Sequence, residues 1–193
     1  MNWHRMRRSA ALATLLLPLG LACGGNRTTI NLDLDSFIDE ADRSFTYLVL
    51  PGEFSETPSP IEEVETPSGL RDALALESLS VDMQLMLDNT TVIGAVNMRA
   101  RMDVYVAADD DPASFWDTAN RLVSLEGTLN GGEVNTLEQV FSADGFLDLF
   151  QQHDIVYVGL LFRLDHLSGT GAVDGDALLT RLHLRAVGRE DLF

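Results

Sequence analysis

The sequence predicts a mainly β chain: an antiparallel sandwich or strongly curved sheet with two or three inserted helices. An α+β sheet with two helices over one face is the alternative. Three observations carry this expectation. Apolar and polar residues alternate with period two in many separate stretches. Strand-like stretches outnumber helix-like ones, and the helix-like ones sit together mid-chain, which suits antiparallel pairing better than alternating βαβ units. A hydrophobic content of 46% supplies a core and argues against wholesale disorder.

Taken in order, Thr28 to Asp35 places Ile30, Leu32 and Leu34 on one face and Asn31, Asp33 and Asp35 on the other, a first strand. Ser36 to Ser44 is polar and suits one or two helical turns. Phe45 to Leu50 is a second strand, ended by Pro51-Gly52. The acidic, Pro-rich stretch at about 51–69 carries Pro58, Pro60 and Pro67 among five glutamates and reads as a loop within one domain, since residues 28–50 are too few to fold alone. Val81, Met83, Leu85 and Leu87 share one parity of the next strand. From Val92 to Val106 the even positions are apolar; that run is long for one strand and predicts a bulge or bend at Gly94.

Asp111 and Pro112 have the chemistry of a helix cap and first helical position, with Phe115, Ala119 and Leu122 on one face beyond them. Ser124 to Leu129 suits a short strand closed by Asn130-Gly131-Gly132. Asn135 to Gln152 reads as a second helical region: Asn135 and Glu138 have capping-box spacing, Leu137, Val140 and Phe141 form an apolar side, Gly145 interrupts it, and Asp144 can cap a second short helix carrying Phe146, Leu149 and Phe150. Val156 to Leu164 is apolar on both parities, as in a central strand. Asp165 to Ala177 is a Gly-rich connection, and Leu178 to Val187 is a last strand with Leu182 and Leu184 inward.

Charge and leader bear on location. The chain has 30 acidic residues against 13 arginines and no lysine, a formal charge of −17. Such a surface repels nucleic acid and anionic membranes in general. Arg5, Arg7 and Arg8 precede an apolar run from Ala10 to Ala22, with no acid before Asp33. That run is about 13 residues, short of the roughly 20 a membrane span needs and right for a secretory signal. Ala22, then the sole cysteine Cys23, then Gly24-Gly25, resembles the signal of bacterial lipoproteins. The resemblance implies a signal peptide over 1–22, a single β-rich domain over 23–193, lipid on Cys23, and attachment to a membrane in the periplasm or at the cell surface. An ordinary cleaved secretory signal and an uncleaved anchor are the other readings of the same leader. A single cysteine excludes an internal disulfide. The final Phe193 suits an outer-membrane barrel, but Arg189-Glu190-Asp191 breaks the alternation before it and the helix-like middle does not fit one.

Among chemistry-bearing groups, Arg99, Arg101, Arg163, Arg181, His183 and Arg185 all fall on the polar parity of predicted strands. Were those strands neighbours, they would form an anion-binding face, the forked guanidinium suiting phosphate and carboxylate. The competing reading pairs them across strands with Asp82, Asp103 and Asp165. Asp109 to Asp111 and the pair Asp174 and Asp176 offer oxygen ligands for calcium but lack EF-hand spacing, and turn or cap duties account for them. Met83, Met86, Met98 and Met102 suit either an apolar ligand cavity or core filling. His153, His166 and His183 show no metal-ligand spacing, and Ser168 to Gly171 lacks the context of a nucleophile elbow. The expectation is a non-enzymatic, lipid-anchored envelope protein without cofactor or metal, with a structural or partner-binding role toward an envelope protein, glycan or lipid. The alternative is a periplasmic carrier of an apolar ligand.

Overall fold

The computed structural model describes residues 27–66, 75–89 and 96–189. The leader with Cys23, the Pro67 to Gly69 end of the acidic stretch, Gly94 and Phe193 lie outside the described residues.

Two antiparallel sheets face each other, as the period-two patterns predict. The strands are β1 (Arg27–Asp33), β2 (Ser44–Val49), β3 (Phe54–Pro58), β4 (Glu62–Glu65), β5 (Ala75–Asp88), β6 (Val96–Ala107), β7 (Arg121–Asn130), β8 (Val134–Ser142), β9 (Ile155–Gly169) and β10 (Val173–Arg189). In the first sheet the order is β1, β10, β5, β8, with β2 sharing the edge position of β1 along β10. In the second it is β3, β9, β6, β7, with β4 continuing the edge of β3 along β9. Every pairing is antiparallel. The chain crosses between sheets at most connections, which is the connectivity of a jelly roll. A second sheet, not a pair of helices, covers the first.

The core lies between the sheets. Val81, Met83, Leu85 and Leu87 of β5 face Met98, Ala100, Met102 and Val104 of β6 and the inner residues of β9, all within one buried cluster. Phe162 on β9 stacks on Phe45 at 5.7 Å between ring centres and lies 5.8 Å from Tyr47, tying β2 of the first sheet to the second. The Tyr47 hydroxyl donates to the Asp88 carbonyl at 3.2 Å, and burial pushes its pKa up.

Four expectations are corrected. The stretch at 51–69 is not one loop, because β3 and β4 both pair with β9. Pro58 ends β3 and Pro60 lies between the two strands, on an edge where a missing N–H costs no ladder bond. Ser59 keeps the link seated: its N–H donates to the Leu160 carbonyl at 2.8 Å and its Oγ accepts from the Leu160 N–H at 2.9 Å. Glutamates on this edge oppose pairing with another chain.

Second, Asn135 to Ser142 is strand, not helix. Leu137 and Phe141 share a face at period two as well as at helical spacing, so they do not discriminate; Val140 does, and it is 65% exposed on the opposite face. The Asn135 amide donates to Asn89 Oδ1 and the Glu133 carbonyl, so no capping box forms. Third, the helix begun by Asp111, whose carboxylate accepts the Ala113 N–H at 3.1 Å, is the single turn α1 (Pro112–Phe115), and Leu122 belongs to β7. Fourth, most of the Gly-rich connection is strand. Val173, Ala177 and Leu179 point inward at odd positions, then a register shift between Leu179 and Arg181 passes the inward face to Leu182, Leu184 and Ala186.

Between β8 and β9 a 3₁₀ turn (Asp144–Phe146) leads into α2 (Leu147–Gln152). Asp144 does not cap this helix. Its carboxylate accepts the Leu79 N–H at 2.7 Å and the Ser142 hydroxyl at 2.9 Å, and these two bonds hold its pKa below the usual carboxylate value. A lowered folded pKa adds stability above the unfolded value near 4 and loses it as pH falls through the folded one. The melting temperature of Asp144→Ala is therefore expected to lie below that of the parent at pH 7, with the gap closing in scans taken from pH 4 down to pH 2. A gap independent of pH would mean that the side chain does not act as a carboxylate acceptor.

Candidate functional site

The outer face of the second sheet is a ladder of rows set by strand register. Phe54, Asp165, Arg99 and Thr128 form one row; Glu56, Arg163, Arg101 and Glu126 form the next; Pro58, Leu161, Asp103 and Ser124 the third. Arg163 reaches Asp165 at 2.9 Å and Glu56 at 3.4 Å, which raises its pKa further. Arg99 lies 3.8 Å from Glu126 and 4.0 Å from Asp165. Arg101 meets Asp103 at 2.6 Å, with Arg121 at 3.9 Å. Four arginines thus balance four acids on a chain whose charge is −17.

Aromatic rings frame the ladder. At one end Phe54 is 58% exposed and carries the Arg163 guanidinium 4.3 Å from its ring centre. At the other, the segment around α1 folds over the sheet. Phe115 and Trp116 meet edge to face at 4.9 Å, and Tyr105 meets Trp116 at 5.2 Å. Gly159 makes room for them: a Cβ there would lie 2.7 Å from Phe115 and 2.8 Å from Trp116. Asp103 is 0% exposed despite its outward parity, with the Arg101 and Arg121 side chains against its carboxylate. Burial, then the charge of Asp103, pushes the Tyr105 pKa up.

The single basic strip expected from sequence is corrected here. Arg99, Arg101 and Arg163 lie on the second sheet, whereas Arg181, His183 and Arg185 lie on β10 in the first, so the six occupy opposite outer faces. Alternation places a residue on a face of its own strand but does not say which strands are neighbours. Five of the six have carboxylate partners: on the first sheet Arg181 binds Asp82 at 3.1 Å and Glu138 at 3.4 Å, and His183 meets Asp33 at 2.9 Å. Asp82, Asp103 and Asp165 are all used as acid partners; Arg181 reaches Asp82 across strands, whereas the shortest pairs of Asp103 and Asp165, with Arg101 and Arg163, lie within one strand.

The remaining groups fall as follows. Asp109 accepts the Asp111 N–H at 3.2 Å, and Asp176 accepts the Thr46 hydroxyl at 2.8 Å. Asp165 faces outward while His166 is buried with Nε2 3.0 Å from the Gly171 carbonyl, so their adjacency creates no dyad. Met83, Met98 and Met102 are core residues, and Met86 is half-buried on the outer face. Sequence reasoning missed one grouping: Asp33, Asp35 and His183 converge, their ligand-capable atoms all within 4.8 Å of one another. Asp33 and Asp35 were assigned to the outer face of one strand and His183 to another; only the β1–β10 register joins them.

A jelly-roll sandwich with a charge-balanced, aromatic-edged outer face is the class that fold and geometry define. No protein-family model and no curated protein matches the chain. Among solved structures, it is similar to that of the infectious bursal disease virus Gx strain, at 10% identity and a TM-score of 0.41 over 92% of this chain and 43% of the other. Dimeric latent PorU from Porphyromonas gingivalis follows at 12% identity and 0.32, over 78% and 13%. TmCBM61 in complex with β-1,4-galactotriose stands at 7% identity and 0.25, over 82% and 86%. The chain thus spans less than half of the virus chain it matches, and each score is below the level at which a shared fold follows.

Proposed function

We propose that this is a non-enzymatic protein of the cell envelope, exported to the periplasm or cell surface, held to a membrane by lipid on Cys23, and used to dock a partner on the outer face of the second sheet. The leader from Ala10 to Cys23 supports the export and the anchor. The observation that carries the docking role is the four-arginine, four-acid ladder beside exposed Phe54. Guanidinium donors and carboxylate acceptors on residues equal in number favour a partner rich in hydrogen-bonding groups, read by geometry rather than net charge. An envelope protein or glycan meets that description; nucleic acid, repelled by the acidic remainder, does not. Met83, Met98 and Met102, each at most 1% exposed, support a filled interior over a carrier's ligand cavity.

Site-specific photo-crosslinking in the native envelope tests the docking face. A crosslinker at Phe54 or Glu126 is expected to give a discrete adduct, and one at Arg185 on the opposite sheet is not. Adducts in equal yield from both faces, or from neither, would contradict the assignment.

A further inference from the structure

We propose that Asp33, Asp35 and His183 form a binding site for one divalent first-row transition-metal ion, of which zinc is the representative. The backbone brings the three together. Asp33 ends β1 directly opposite His183 of β10. The chain then turns into a 3₁₀ helix (Leu34–Phe37), fixed by the Ser36 hydroxyl donating to the Asp33 carbonyl at 2.7 Å and by Leu34, which is 0% exposed. That turn brings Asp35 back beside its neighbours.

The donor set selects the ion. One imidazole nitrogen and two carboxylates are ligands that zinc and its neighbours accept at about 2.0–2.2 Å, and three protein ligands leave a fourth position for water. Calcium seeks 6–8 oxygens and gains little from an imidazole. The ligand-capable atoms lie within 4.8 Å of one another, and all three residues stand on a paired strand or the turn that follows it.

The electrostatics favour a dication. Asp33 and Asp35 lie side by side, and Asp82 of β5 stands opposite His183 from the other flank. Against these, Arg43 is 3.8 Å from Asp35, and Arg181 is engaged by Asp82 and Glu138. Asp35, its side chain only 13% exposed, is held beside Asp33 and His183. A dication held by both carboxylates would offset the negative charge gathered there. The site is on the sheet opposite the proposed docking face, so either proposal can fail without the other.

Isothermal titration of the full chain with zinc chloride, after treatment with chelator, tests it, with Cys23→Ser introduced throughout to remove the thiol as a competing ligand. One zinc per chain is expected, with affinity reduced at least about tenfold by His183→Ala and likewise by Asp35→Asn, and unchanged by His153→Ala. Calcium in the same titration should give no saturable heat. Cobalt, used as a spectroscopic substitute, should show a visible band in the parent that His183→Ala abolishes; this readout reports ligation directly if a variant is less stable. Zinc binding that survives His183→Ala undiminished, or a parent chain that binds no zinc, would overturn the proposal.

Discussion

Replacing Phe162 by alanine is expected to lower the unfolding free energy by about 3–5 kcal/mol, the range for deleting a fully buried aromatic side chain. The ring is 0% exposed and sits where the two sheets meet, against Phe45 and Tyr47 from β2, while its own strand is paired on both sides by β3 and β6. A cavity at this point has little to collapse into it, because its walls are strands held in register. For a domain of this size the melting temperature should fall by roughly 10 °C. Phe162→Leu, which retains most of the apolar volume, should recover more than half of the loss. Urea unfolding of the two variants measures both. A loss under about 1 kcal/mol for the alanine variant would mean that the inter-sheet aromatic contact is not what joins β2 to the second sheet.

Gly175→Ala should cost about 3 kcal/mol, at the top of the usual overpacking range. Gly175 lies on β10 opposite Tyr47, and a Cβ there would stand 2.0 Å from the Asp88 carbonyl oxygen and 2.8 Å from the Tyr47 hydroxyl. The nearer atom is backbone, so relief requires β10 and β5 to separate, and the bond between Tyr47 and Asp88 goes with it. Gly145→Ala is the control, since nothing lies within 4 Å of its Cβ position. Thermal melts should separate the two substitutions clearly. Equal melting temperatures would show that the close approach of β10 to the end of β5 is not formed.

The contrast between these two glycines shows which parts of the fold can be read along the chain. Period-two patterning identified β5 and β6 with their inward faces, Val81 to Leu87 at odd positions and Val96 to Val106 at even ones, and the apolar run from Val156 to Leu164 marked β9 as a central strand. Asp111 and Pro112 marked a helix start through local cap chemistry. Features that depend on neighbours did not show. Gly175 reads as a loop residue until β2 and β5 are placed on either side of β10. In β8, Leu137 and Phe141 satisfy two periods, and pairing with β5 decides between them. β3 and β4 are held by their partner β9 and have few apolar residues of their own to announce them.

The same limit governed the site. Three acid partners of the arginines were legible, since Asp82, Asp103 and Asp165 lie at the matching parity, while Glu56, Glu126 and Glu138 were not. Which arginines share a face was not, because strand order decides it. The aromatic cluster of Tyr105, Phe115 and Trp116 depends on Gly159 being bare enough to admit Phe115 and Trp116, a three-dimensional fit with no period to reveal it.

Export and acylation are the claim on which the proposed envelope role stands. Intact-mass analysis of the protein isolated from its native membranes tests it most directly. The expected species begins at Cys23 and carries the added mass of fatty acyl chains. A species that retains Met1 and bears no acyl group would contradict the account.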